Sequence, residues 1–191
     1  FDLVDYEGSL DAVTLNLATG VGFGGDAQGY RLVNIEGVQG SLGDDLIIGS
    51  SADNLLNGSG GNDTISGGLG ADTLDGGEGE DVLDYRDSAD GVTVDLGLGR
   101  GVGGSAENDI LSGFEVVKGS DFNDSLIGDS TANRLEGQGG DDTLDGGLGA
   151  DTLVGDGGSN TASYIRSSSG VTVNLMTGTG MGGDAEGDRL E

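Results

Sequence analysis

Large aliphatic residues recur every nine residues along this chain, in two blocks that begin at Gly40 and Gly119. Each block holds five consecutive nonapeptides, such as GGLGADTLD from Gly67, in which six residues that favour turns precede a triplet with a central aliphatic. Position 1 is Gly in all ten nonapeptides, position 6 is Asp in seven and Asn in three, and position 8 is Leu or Ile in nine. The triplet predicts a very short β-strand, and turn plus strand, repeated, predicts a parallel solenoid.

Two nonapeptides make one coil in this interpretation, so every second repeat stacks on the same side. The aliphatic at position 8 then points inward from each strand. We expect these residues to line a thin core: Ile47, Leu56, Ile65, Leu74, Leu83, Leu126, Leu135, Leu144 and Leu153.

A second period, of 79 residues, contains the first. It relates Tyr6, Tyr85 and Tyr164, which we expect to plug or edge the core. The chain divides into the end of one unit at 1–39, a full unit at 40–118 and a partial unit at 119–191, with nonapeptides at 40–84 and 119–163 and irregular coils at 85–118 and 164–191. We expect one continuous solenoid taken from a longer array. The alternative is a separate minidomain in each 34-residue segment between nonapeptide blocks.

The composition of the chain indicates that it binds metal ions. The chain carries 35 acidic and 7 basic residues, a formal charge of −28, which argues against nucleic acid or anionic lipid as a partner. Carboxylate and carbonyl oxygens are hard ligands, so Ca²⁺ is favoured, with Mg²⁺ or Mn²⁺ behind it. The absence of Cys excludes thiolate zinc and iron–sulfur sites, and no apolar run is long enough for a membrane span.

The predicted core is too thin to stabilise the fold by itself. It offers about one buried aliphatic for every nine residues that must be ordered, and stacked carboxylates repel one another. The chain therefore needs a cation to fold, and the free energy of metal binding becomes free energy of folding.

The nonapeptides resemble a known family. The pattern GGxGxDxUx, with U a large aliphatic, is that of the RTX (repeats-in-toxin, haemolysin-type) calcium-binding repeats, and GGLGADTLD at Gly67, GGEGEDVLD at Gly76 and GGLGADTLV at Gly146 match it at every fixed position. The resemblance implies an all-β fold, a right-handed parallel β-roll (β-solenoid) with several Ca²⁺ ions between stacked turns. It also implies ligation by position 6 carboxylates and by the backbone carbonyls of positions 2 and 4.

Carried onto this sequence, the resemblance gives the carboxylate ligands Asp45, Asp63, Asp72, Asp81, Asp124, Asp142 and Asp151. The carbonyl donors are Ser41, Gly43, Ser59, Gly61, Gly68, Gly70, Gly77, Gly79, Gly140, Gly147 and Gly149. Asp90 is expected to stack on the turn at Gly67. Weaker candidates are the amides Asn54, Asn133 and Asn160 and the degenerate position 6 residues Glu36 and Glu115. Asp26, Asp184 and Asp188 are further possible ligands.

Other interpretations fit less well. A dinucleotide-type GxGxxG pattern occurs three times, but no helical periodicity follows it. A flexible acidic linker would not keep an aliphatic in phase with Asp. An ice-binding threonine array would be interrupted by Leu46, Val82 and Arg134 at position 7.

We therefore expect a calcium-binding structural module of a secreted or cell-surface bacterial protein, such as an adhesin stalk. The resemblance implies that such chains leave the cell unfolded through type I secretion machinery and fold in external calcium. We expect no enzymatic activity, because the chain has no His, no Cys and a single Lys. The alternatives are an accessory module of a secreted protease, lipase or alginate epimerase, and a module that binds polysaccharide or associates end to end with another copy.

Overall fold

Short strands fill the computed structural model, which describes residues 1–191. There are 21 strands and no α-helix, and the strands form one sheet of ten and one of eleven. The strands are β1 Leu3–Asp5, β2 Thr14–Asn16, β3 Val21–Phe23, β4 Gly37–Gln39, β5 Leu46–Ser50, β6 Leu55–Asn57, β7 Thr64–Gly68, β8 Thr73–Asp75, β9 Val82–Asp84, β10 Thr93–Asp95, β11 Arg100–Val102, β12 Ile110–Ser112, β13 Val116–Lys118, β14 Ser125–Ile127, β15 Arg134–Glu136, β16 Thr143–Asp145, β17 Thr152–Val154, β18 Thr161–Ala162, β19 Thr172–Asn174, β20 Thr179–Met181 and β21 Arg189–Leu190.

Consecutive nonapeptide strands lie in opposite sheets. Each pairs in parallel with the strand of the second repeat along the chain, so that Ile47 of β5 is opposite Ile65 of β7, and Ile65 is opposite Leu83 of β9. In the other sheet Leu56 of β6 is opposite Leu74 of β8. Two nonapeptides per coil and parallel strands in two stacked sheets confirm the predicted β-roll.

The core runs between the two sheets as a row of position 8 side chains. The nine aliphatics predicted to line it are all buried, with no more than 3% of any of them exposed. Residues from the 34-residue segments extend the same rows, because Val94 is opposite Leu126 and Leu111 is opposite Leu74. The core is consequently one side chain deep at every coil.

The 34-residue segments contain a chain reversal that the nonapeptide pattern does not predict. Strands β10, β11 and β12 form an antiparallel meander in the ten-stranded sheet. Its outer strands remain parallel to the roll, since β12 pairs with β8 and β10 pairs with β14. A 3₁₀ turn at Gly104–Ala106 follows β11. The meander thus joins the nonapeptides on both sides of it by backbone hydrogen bonds.

Equivalent segments of neighbouring units lie on opposite faces of the roll. Strands β5 and β14 occupy the same place in their units, yet β5 belongs to the eleven-stranded sheet and β14 to the ten-stranded sheet. The same holds for β10 and β19. Any surface feature that repeats every 79 residues therefore alternates between the two faces.

Two weaker interpretations of the sequence can be compared with this fold. Each GxGxxG segment leads into a three-residue 3₁₀ turn, at Gly25–Ala27, Gly104–Ala106 or Gly183–Ala185, which is too short to hold a pyrophosphate as an α-helix does. Thr64 at position 7 lies between Leu46 and Val82, so the threonine row is interrupted.

No helix of this structure has the length and apolar character that crossing a membrane requires.

The thin core makes a direct prediction about stability. Leu74→Ala removes a side chain that is fully buried between the sheets, so we expect the free energy of unfolding in saturating calcium to fall by about 2–5 kcal/mol. Leu69→Ala is the control, because Leu69 is 58% exposed and its loss should change stability by less than about 0.5 kcal/mol. Urea unfolding measures both, and equal effects would contradict the assigned core.

Candidate calcium sites

The position 6 side chains form ladders along both edges of the roll. The backbone N–H of one position 6 residue donates to a side-chain oxygen of the position 6 residue one coil later. The distances are 2.7 Å from Asp45 to Asp63, 2.7 Å from Asp63 to Asp81, 2.8 Å from Asn54 to Asp72, 2.9 Å from Asp124 to Asp142 and 2.8 Å from Asn133 to Asp151. One carboxylate oxygen, Oδ1, of each acceptor Asp is thereby occupied by the protein itself.

The ladders cross the 34-residue segments through residues other than the one predicted. The N–H of Asp72 donates to Asp109 Oδ1 at 2.9 Å, and the N–H of Asp151 donates to Asp188 Oδ1 at 2.9 Å. The prediction that Asp90 stacks on the turn at Gly67 is therefore wrong: the antiparallel meander brings Asp109 there instead, and Asp90 is exposed. Asp109 was missed, although Asp109-Ile110-Leu111 has the Asp-x-Leu spacing of positions 6 to 8.

The two glutamates predicted at degenerate position 6 sites have the same role in the ladder. Glu115 Oε2 accepts the N–H of Asp81 at 2.9 Å, and Glu36 Oε2 accepts the N–H of Asp2 at 2.9 Å. Their longer side chains take the place of Asp where the chain leaves the irregular coils.

Five carboxylates keep their second oxygen without a partner. The Oδ2 atoms of Asp63, Asp72, Asp81, Asp142 and Asp151 are buried and form no hydrogen bond. No more than 1% of any of these five residues is exposed. Removing a carboxylate oxygen from water without a partner is costly, so a buried row of such oxygens favours the binding of a cation.

The raised pKa values of these aspartates agree with the interpretation that the turns bind a cation. Burial raises the pKa of Asp63, Asp72 and Asp151 from 3.8 to about 7, and that of Asp142 to about 6. Neighbouring carboxylates, such as Asp45 and Asp81 around Asp63, raise the pKa further, while the ladder hydrogen bonds lower it. Negative charge is therefore disfavoured in these turns unless a cation compensates it.

The turns that hold the unpartnered carboxylates also contain backbone carbonyls without a hydrogen bond. The glycines at position 4 of these repeats have positive φ, for example 123° at Gly70 and 150° at Gly79, a conformation that favours glycine. No hydrogen bond is accepted by the position 4 carbonyls of Gly61, Gly70, Gly79, Gly140 and Gly149, or by the position 2 carbonyls of Gly77 and Gly147. The carbonyls of Ser41 and Ser59 at position 2 instead accept backbone N–H groups of the next coil. The free position 4 carbonyls complete an oxygen-only donor set.

Glycine occupies position 1 of all ten nonapeptides for a steric reason. The Asp carboxylate folds back over this residue, so a Cβ on Gly58, Gly67, Gly137 or Gly146 would collide with the Oδ2 of the Asp five residues later. Only glycine leaves room for the carboxylate and for whatever binds to it.

Calcium fits this donor set. No group of three or more carboxylate or imidazole side chains converges in the structure, so the turns offer paired carboxylates with carbonyls rather than a carboxylate cage. Ca²⁺ accepts six to eight such oxygens in flexible geometry. The Oδ2 atoms of the five aspartates and the position 4 carbonyls would hold it. A bound ion would neutralise the buried charge and link one turn to the next.

Comparison with known protein families agrees with the geometry. The family described as the RTX calcium-binding nonapeptide repeat (4 copies) matches residues 38–65, 48–83, 57–91, 111–131 and 127–162, which together cover more than half of the chain. This chain belongs to the RTX calcium-binding nonapeptide-repeat family. A search of curated proteins gave no match. Repeats of this family bind calcium, and the matched ranges contain all five aspartates whose Oδ2 is unpartnered.

The raised pKa values predict how pH acts on the RTX chain without calcium. A carboxyl whose pKa is higher in the folded state stabilises that state at low pH, and the stabilisation is lost as pH rises from about 4 to about 7. In EDTA, the β signal in circular dichroism should therefore be larger at pH 5 than at pH 7.5. In saturating calcium the difference should shrink. A metal-free β signal that is greatest at pH 7.5 would contradict this.

The position 1 clash predicts a local loss of calcium binding. Gly146→Ala places a Cβ against Asp151 Oδ2, so the carboxylate must move and the calcium midpoint of folding should rise at least several-fold. Gly8→Ala is the matched control, because nothing lies within 4 Å of a Cβ there. Calcium titration by circular dichroism compares the two, and equal midpoints would refute the steric account.

Proposed function

We propose that this chain is a calcium-folded structural module of a secreted or cell-surface bacterial protein, serving as a rigid rod-like segment between other parts of it. The observation that carries the proposal is the set of five buried, unpartnered Oδ2 atoms stacked along the roll. The RTX match supports calcium as the ion and bacteria as the source.

The thin core supports a requirement for metal. Only 53 of 191 residues are buried, and 16 of those are polar or charged side chains. A core of one aliphatic per turn offsets little of the entropy lost when nine residues are ordered. Ion binding that occurs only in the folded chain would supply the difference, and the folded population would then depend on calcium concentration.

The same dependence suggests a role in export. Members of the RTX family are typically secreted by bacteria, and the resemblance implies type I secretion of an unfolded chain. Scarce calcium inside the cell would keep the carboxylates repelling one another. Abundant calcium outside would fold the module and oppose its return. Extracellular calcium modules bind at about 10⁻⁴–10⁻³ M, which suits such a switch.

Catalysis is not part of the proposal. The chain has no His or Cys, and its one lysine, Lys118, lies in β13. The four carboxylates whose pKa is raised to about 6 or 7 are among those assigned to calcium. If the parent protein is an enzyme, this module would be an accessory segment and the reacting groups would lie elsewhere.

Binding of polysaccharide is a second candidate, and one observation favours it. A groove over the eleven-stranded sheet is lined by Leu17, Ser50, Leu69, Ser88 and Ser105 among others. A groove with the equivalent residues of the next unit, including Leu96, Asp129 and Leu148, lies near the ten-stranded sheet. A repeating groove suits a repeating ligand. Absence of binding to acidic and neutral polysaccharides in a glycan array would remove this candidate.

A calcium titration tests the main proposal. The chain is stripped with EDTA, and far-UV circular dichroism and hydrodynamic radius are followed as calcium is added, with magnesium as the control. We expect a cooperative gain of β signal and compaction in calcium only. A chain that is equally folded in EDTA, or that responds equally to magnesium, would refute it.

A further inference from the structure

The turns of the ten nonapeptides are of two kinds. In the turns that begin at Gly40, Gly49, Gly119 and Gly128, the position 6 oxygen accepts the backbone N–H of position 2. The distances are 2.5 Å from Ser41 to Asp45, 2.7 Å from Ser50 to Asn54, 2.6 Å from Ser120 to Asp124 and 2.8 Å from Asp129 to Asn133. We call these the closed turns, since the protein itself occupies the oxygen.

Serine hydroxyls bond to the position 6 side chain in three of the closed turns, one of them from Ser50 Oγ to Asn54 Oδ1 at 3.2 Å. Ser41 Oγ lies 2.7 Å from Asp45 Oδ1, and Ser120 Oγ lies 2.8 Å from Asp124 Oδ1. The N–H groups of Val13 and Val92 also donate to these carboxylates, each at 2.7 Å. Asp45 and Asp124 therefore each accept three hydrogen bonds and have both oxygens occupied.

In the other six turns position 2 lies in the left-handed region. Its φ is 78° at Ser59, 94° at Gly68, 104° at Gly77, 68° at Gln138 and 84° at Gly147 in the five turns that have Asp at position 6, and 54° at Asp156 in the turn at Gly155, which has Asn160. In this conformation position 2 donates no hydrogen bond to the position 6 carboxylate. These five open turns, at Gly58, Gly67, Gly76, Gly137 and Gly146, contain all five unpartnered Oδ2 atoms. The backbone at position 2 therefore decides whether a carboxylate is occupied.

Two of the open turns contain a residue that disfavours this geometry. Ser59 and Gln138 adopt positive φ without being glycine, which costs of order 1 kcal/mol each. Two of the closed turns, conversely, have Asn54 and Asn133 at position 6. Position 6 is thus a neutral amide in two of the four closed turns, whereas five of the six turns with positive φ at position 2 keep a carboxylate, two of them at the expense of strain.

The tyrosines close the ladders at the irregular coils. Tyr85 Oη donates to Asp109 Oδ2 at 2.8 Å, and Tyr164 Oη donates to Asp188 Oδ2 at 2.9 Å. Since Oδ1 of both aspartates is taken by the ladder, these carboxylates too are fully occupied. The buried Tyr85 thus does more than fill the core.

We infer that calcium binds only in the open turns, so that each unit alternates a calcium-dependent segment with a calcium-independent one. The closed turns and the tyrosine-closed coils form the second kind. Asp45 and Asp124 match the family pattern at position 6, yet in this account they are structural acceptors and not ligands. The inference rests on the proposed calcium-dependent function and specifies which residues serve it.

Counting bound ions tests the inference. Native mass spectrometry at one fixed, saturating free calcium concentration compares the wild type with Asp63→Asn and Asp151→Asn in open turns, and with Asp45→Asn and Asp124→Asn in closed turns. We expect the open-turn variants to lose at least one ion each. The closed-turn variants should keep the wild-type number, although the new amide faces the Val13 or Val92 N–H and lowers stability. Circular dichroism in calcium verifies that each variant is folded.

A variant that gains an ion guards against loss-of-ion variants that fail to fold. The turn at Gly155 shares the backbone of the open turns, since position 2, Asp156, has a φ of 54°, but it has Asn160 at position 6. Asn160→Asp introduces a carboxylate there, and we expect one additional ion.

The outcomes separate the inference from the proposed function. A wild-type chain that takes up no calcium would refute both. Calcium uptake by the wild type, with an ion lost in Asp45→Asn or none lost in Asp63→Asn, would overturn the inference alone. The absence of an additional ion in Asn160→Asp would do the same.

Discussion

The fold depends on how the charge of buried carboxylates is compensated. A β-roll with two short strands per coil has little apolar surface to bury, and its turns carry an aspartate into the interior at almost every coil. Backbone N–H groups and serine hydroxyls compensate these side chains in the closed turns, and backbone N–H groups and tyrosine hydroxyls compensate them in the irregular coils. In the open turns one oxygen of each aspartate has no protein partner. The stability of the roll is set by what occupies that oxygen.

This constraint explains several features of the sequence. Glycine at position 1 makes room for the carboxylate of position 6. In the open turns, positive φ at position 2 directs its N–H away from that carboxylate. Positive φ at position 4 accompanies a backbone carbonyl that accepts no hydrogen bond. The aliphatic at position 8 keeps neighbouring coils in register, because it stacks directly on its equivalent one coil away. A formal charge of −28 opposes compaction by self-repulsion, which is consistent with the proposal that the chain folds in the presence of a cation.

The nonapeptide part of the fold could be predicted from the sequence because each position of the repeat has one structural role, in the turn, as the acidic side chain or in the core. The strands, the inward aliphatics and the stacking of every second repeat follow from turn chemistry and a period of nine. The meander at β10–β12 could not be predicted, since its strands alternate no differently from parallel ones. That reversal is why Asp109 and not Asp90 meets Asp72. The division into open and closed turns was also hidden, because Ser59 and Ser41 are the same residue type with different φ.

The most direct measurement is the anomalous diffraction of crystals grown in calcium. The account predicts peaks beside the Oδ2 atoms of Asp63, Asp72, Asp81, Asp142 and Asp151, and no peak beside Asp45 or Asp124. A well-ordered crystal with no anomalous density in the open turns would contradict the claim that a cation compensates their buried carboxylates.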